Sequence, residues 1–249
     1  MPNLSDQGGW NTGTRSRDTG PAKCLPRPRT WLAALATGCS LWVIAGVDDN
    51  LMPDARSLAL ANARFGAAAA GRLSEWREVV SRCTSIPEAE KLRRINRFIN
   101  RIPSMDDQTL WGQRDYWATP VEFLVRNGGD CEDYALAKYF SLKAAGVPTD
   151  KLRITYARAW LPGQGRMEAH MVLAYYTDPD AEPLILDNLT NDILPASRRS
   201  DLSPTMSFNA EGLWTAKQQG QHGRLGDTSS IHHWNDLLAR MGRERRGEP

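Results

Sequence analysis

Hydrophobic residues keep one period up to Gly146 and another beyond it, and this change constrains the fold more than any other feature of the chain. Upstream, apolar positions recur at spacings of three and four. Phe65, Ala69, Leu73, Trp76 and Val80 make one face of a helix over residues 64–80, and Leu92, Ile95, Phe98, Ile99 and Ile102 one face of a second over residues 88–102. Ser85 and Pro87 stand where the second helix should start, and Pro103 where it should stop. Thr119-Pro120 predicts the cap and first position of a short helix over residues 119–124. A further helical pattern begins after Gly128-Gly129, which read as a flexible turn, and ends at Gly146 with Pro148 beyond. Downstream the period is two. Leu152, Ile154 and Tyr156 alternate with Arg153, Thr155 and Ala157, and residues 170–176 and 184–187 read as two more strands joined by the turn residues Thr177 to Asp180. Helices followed by an antiparallel sheet imply an α+β domain.

That domain should occupy residues 48–249, with a last helix near residues 231–241 and a charged, poorly ordered tail from about 242. Residues 1–30 are rich in Gly, Pro, Ser, Thr and basic side chains without apolar periodicity, as in a disordered leader. Trp31 to Val47 is a mostly apolar run behind that basic flank, which reads as a signal peptide or signal anchor. The 31 basic and 29 acidic side chains leave a net charge of +2, which implies no polyanion partner.

None of the four cysteines, Cys24, Cys39, Cys83 and Cys131, is in CxxC spacing, which argues against a zinc ribbon. An oxidising compartment would allow a Cys83–Cys131 pair. Unpaired, Cys131 sits at the start of a helix, where free N–H groups and the positive dipole end favour a thiolate and can donate to an oxyanion. The two later strands supply partners. In a hairpin turning between Asp178 and Pro179, facing residues sum to 357, as His170 and Asp187 do, so the two should share a sheet face. Cys131 as nucleophile, His170 as acid–base and Asp187 as orienting carboxylate make a candidate triad, with Asn188 an alternative orienter. His232 and His233 read as helix-surface residues. Trp117 is a candidate oxyanion donor or substrate-groove residue, or else a core aromatic. Asp130, Glu132 and Asp133 crowd Cys131, either as helix-start acids or as oxygen ligands for a hard cation.

In chain order, Trp117-Ala118-Thr119-Pro120, Glu122-Phe123-Leu124, Gly128 to Ala135 (GGDCEDYA), Lys138-Tyr139, His170 to Leu173 and Leu186-Asp187-Asn188 resemble the bacterial transglutaminase-like cysteine proteinases of the LapG type. The resemblance implies a papain- and transglutaminase-like fold with Cys131, His170 and Asp187 as catalytic residues. It further implies calcium (Ca2+) ligation by Asp130, Glu132 and Asp133, and a periplasmic location. The implied substrate is a large surface adhesin cut near its N-terminus at a di-alanine site, which disperses biofilm. The implied regulator is an inner-membrane cyclic di-GMP receptor that sequesters the protease. A transglutaminase using the same triad and a non-catalytic, calcium-stabilised binding partner are the competing readings.

Overall fold

The computed structural model describes residues 51–161, 163–215 and 223–248. The expected leader (1–30) and signal segment (31–47) lie outside the described residues. Among the described residues seven α-helices, α1 (Ala55–Phe65), α2 (Ala67–Cys83), α3 (Glu88–Ile99), α4 (Asp107–Trp111), α5 (Pro120–Arg126), α6 (Cys131–Ala144) and α7 (His232–Arg246), accompany one antiparallel sheet. Its strands are β1 (Leu152–Leu161), β2 (Arg166–Tyr175), β3 (Leu184–Leu186), β4 (Leu194–Pro195), β5 (Leu202–Asn209), β6 (Gly212–Thr215) and β7 (Arg224–Gly226), ordered β4-β3-β2-β1-β5-β6-β7. The α+β expectation holds, with the period change falling between α6 and β1.

Helix α6 is buried along almost its whole length, which explains its apolar residues all round. On one side α2, α3 and α5 pack against it, and on the other β1 and β2. Two polar contacts fix its position. The Trp76 indole donates to Ser141 Oγ at 2.7 Å, and the buried Lys91 ammonium donates to the Ala145 carbonyl at 2.6 Å, just past the end of the helix. A cation on those last carbonyls satisfies orphan acceptors and complements the negative end of the dipole.

Several boundaries differ from expectation. The helix predicted over residues 64–80 is broken at Gly66, whose φ of 84° serves a turn no β-carbon residue favours, so Phe65 ends α1 and is 51% exposed while Leu73, Trp76 and Val80 are buried. Pro87, not Ser85, occupies the cap of α3. Helix α4 and strands β4 to β7 were not foreseen. Helix α7 runs through Arg246, beyond the predicted start of a disordered tail, because its last turn is basic and Glu244 is anchored. Glu244 accepts from Thr119 Oγ1 at 2.5 Å. One turn earlier Arg240 reaches Glu122, Tyr116 and the Trp117 carbonyl, so α7 clamps the entry to α5.

The β2–β3 register sums to 359, through Leu173↔Leu186 and Ala174↔Ile185, rather than 357. The turn bond falls later than predicted, from Ala181 N–H to the Asp178 carbonyl. A slip of two preserves side-chain faces, so His170 and Asp187 stay on one face as diagonal neighbours.

Gly128 and Gly129 are not in the left-handed region; Asn127, with φ 55°, makes that turn. They are needed for space. A β-carbon on Gly129 would fall 2.4 Å from Asp133 Oδ2 and 2.6 Å from the Phe123 ring. On Gly128 it would meet the Met105 sulfur at 2.8 Å, the end of a flexible side chain. Gly129→Ala is therefore expected to lower stability by about 1–3 kcal/mol in urea denaturation, and Gly128→Ala by clearly less. Equal losses would contradict this account.

Candidate active site and acidic cluster

Cys131 is the first residue of α6, placed there by a backbone that turns at Asn127 and is held in extension by Ser104 and Met105. Met105 N–H donates to the Gly129 carbonyl at 2.9 Å. Both Cys131 and Cys83 are free thiols, so the pairing that would have disabled Cys131 does not occur. Its sulfur lies 3.0 Å from Glu132 Oε2 and beside the backbone N–H of Met171, the residue after His170. Burial first, and then the Glu132 charge, push the thiol well above its ordinary range.

His170 and Asp187 are brought together as expected. Both are buried, and His170 Nε2 lies 2.8 Å from Asp187 Oδ1. Asp187 Oδ1 also accepts from Leu189 N–H at 3.2 Å, and Oδ2 accepts from Arg199 at 2.6 Å. Burial alone would raise this carboxyl, but the hydrogen bonds and charges of His170 and Arg199 hold it far below the usual carboxylate range. The carboxylate is thus ionised and takes the Nε2 side of the ring, leaving Nδ1 as the nitrogen free for other chemistry.

Trp117 does not line a groove. It is 3% exposed, and its ring stacks on Phe208 and His233 at 5.8 and 5.5 Å between centroids. It is a core aromatic, because α7 and β5 close over it. His233 is exposed on the surface of α7, as expected, and from there one face of its ring covers Trp117.

The three predicted acids are together but not equivalent. Asp133 is completely buried, with Oδ1 accepting from Ala118 N–H at 2.7 Å and Oδ2 from Asp130 N–H at 3.3 Å. It ties the start of α6 to the start of α5. Asp107 and Asp115, which the sequence reading missed, complete the cluster. Oxygens of Asp107, Asp130 and Asp133 lie within 4.8 Å of one another, as do those of Asp107, Asp115 and Glu132. Asp130 Oδ1 and Asp107 Oδ1 are buried without a hydrogen-bond partner. Burial and, secondarily, the Glu132 charge push Asp130 up to about 9, while burial raises Asp107 to about 6 and Asp133 far above its ordinary value. Orphaned oxygens in a crowd of desolvated carboxylates are what a hard, oxygen-seeking cation relieves, so this donor set fits calcium.

An antiparallel sheet packed on a buried helix that opens with a cysteine, next to a His–Asp couple, defines a papain- and transglutaminase-like domain. The profile of the bacterial transglutaminase-like cysteine proteinases matches residues 74–216, and the chain belongs to that family. Legionella pneumophila LapG is similar at 42% identity over 75% of this chain and 96% of its own, with a TM-score of 0.64. Its EGTA-treated form, with a TM-score of 0.65, and its calcium-bound form, with 0.64, match at the same identity. No curated protein matches. Among the described residues no helix is long and apolar enough to cross a membrane.

Proposed function

We propose that the protein is a calcium-dependent periplasmic cysteine endopeptidase that cuts a large surface adhesin near its N-terminus, at a di-alanine site, and so disperses biofilm. The observation that carries the reading is the His170–Asp187 couple, 2.8 Å apart, with His170 on the strand β2 that packs against the Cys131 helix and Asp187 just past β3, in a chain belonging to a cysteine proteinase family. Cys131 is the nucleophile. His170 takes the thiol proton at Nδ1 while Asp187 fixes the ring through Nε2, and the imidazolium then protonates the leaving amine. N–H groups at the start of α6 are placed to stabilise the oxyanion.

Asp107, Asp115, Asp130, Glu132 and Asp133 would hold the calcium ion. When bound, calcium supplies the positive charge that this cluster lacks and lowers the cost of a thiolate beside it. The calcium-bound form of the Legionella relative supports the assignment. Family resemblance also supports sequestration by an inner-membrane cyclic di-GMP receptor.

The test is a calcium-supplemented digestion of a polypeptide carrying the di-alanine segment of an adhesin, with and without a labelled primary amine. Two fragments with a free new C-terminus are expected in both. Label joined to an intact polypeptide would instead make the enzyme a transglutaminase, and no reaction at all would favour a non-catalytic binding role.

A further inference from the structure

Arg199 had no role in the sequence reading, yet it is a buried charge that touches the candidate triad directly. It lies just past β4, 5% exposed. Nη2 donates to Asp187 Oδ2 at 2.6 Å, on the oxygen opposite the one that faces His170. The guanidinium is itself held. Nε and Nη2 donate to Asp201 Oδ1 and Oδ2 at 2.9 and 2.7 Å, a two-point contact that fixes its plane. Asp201 is anchored in turn, since its carbonyl accepts from Trp160 N–H of β1 at 2.8 Å. An unbroken chain of contacts therefore runs from the central strand through Asp201 and Arg199 to Asp187 and His170.

We infer that Arg199 is a positioning residue for the proposed reaction, locking the Asp187 carboxylate so that Oδ1 stays on His170 Nε2. The inference rests on the triad reading above. With one oxygen on His170 and Leu189 N–H and the other on Arg199, Asp187 cannot rotate about its terminal torsion. The imidazole is thereby kept in one tautomer, with the proton on Nε2 and the lone pair on Nδ1. Two other groups surround Asp187 and cannot do this. Asn100 Nδ2 holds only the backbone carbonyl of Asp187, at 2.9 Å. Lys138, fully buried on α6, interacts with Asp187 by charge, but its ammonium has no hydrogen-bond partner.

The experiment compares Arg199→Met and Arg199→Lys with the native protein, all calcium-saturated and checked for folding by circular dichroism. Cleavage kinetics are expected to show kcat reduced about 10- to 100-fold in Arg199→Met with KM within about two-fold, the signature of misplaced catalytic groups. Arg199→Lys, which keeps the charge without the fork, should recover only part of that loss. Independently of activity, proton NMR of the Cys131→Ala protein should show a downfield Nε2–H resonance for His170, and adding Arg199→Met should broaden or remove it. Native kcat in folded Arg199→Met, or an unmoved resonance, overturns the inference. If Arg199→Met does not fold, native kcat in Arg199→Lys overturns it and a partial loss with unchanged KM supports it. Retained cleavage by Cys131→Ala would instead remove the proteinase reading, while the NMR comparison would still decide what Arg199 does to His170.

Discussion

Replacing Cys131 by alanine is expected to lower cleavage at least about 10³-fold while leaving the fold intact. The loss is large because, among the described residues, no other thiol is placed to take over: Cys83 is completely buried and has no His–carboxylate couple beside it. The fold should survive because alanine suits the first turn of a helix, and the Cys131 side chain contributes little beyond its contacts with Glu132 and the Met171 N–H. Thermal unfolding should stay within a few degrees of native, and calcium should still stabilise the variant. His170→Ala should cost a comparable factor, and the double variant little more than either single one, since nucleophile and base act as a unit. Multiplicative losses would show that the two do not cooperate and that the triad is misassigned.

Calcium removal is expected to have the second largest effect. Chelation with EGTA should abolish cleavage and lower the unfolding temperature, and added calcium should restore both. A ligand at one hundred times its dissociation constant stabilises the folded state by about 2.7 kcal/mol, enough to read as several degrees. The more discriminating variant is Asp107→Asn. In the calcium-free protein it removes a desolvated carboxylate from a crowd whose members are raised by burial and by one another, so the calcium-free variant should be more stable than the calcium-free native protein. In calcium the order should reverse, because an orphaned acidic oxygen of the cluster has become a weaker ligand. Helix capping alone predicts no such crossing. Two parallel stability curves would remove the cation reading and leave Asp133 as a tie between α5 and α6.

What could be read from the residues follows from how local each signal is. Helix α6, its cysteine and the capping of α5 by Thr119 are stated by neighbours in sequence, and the structure places them as expected. The direct facing of His170 and Asp187 did not hold, but their shared sheet face survived the wrong register because the error was two, an even number. Strand β5 was not legible because its first half is largely exposed and its last three residues are all buried, which leaves no alternation. Strand β7 is exposed throughout, and α4, at five residues, is too short to carry a period. Phe65 kept the apolar spacing of α2 but lies across the Gly66 break, which spacing cannot detect.

The sequence by itself determined the class of the domain, the cysteine at the head of a buried helix and the imidazole–carboxylate couple, since each depends on period, punctuation or short-range register. Only the tertiary structure decided that Asp107 and Asp115 join Asp130, Glu132 and Asp133, that Trp117 is core, and that Arg199 grips Asp187. The physical reason is that those relations join segments far apart in the chain through single side chains. A lone charge in a loop carries no pattern until folding removes the water around it and leaves it one partner.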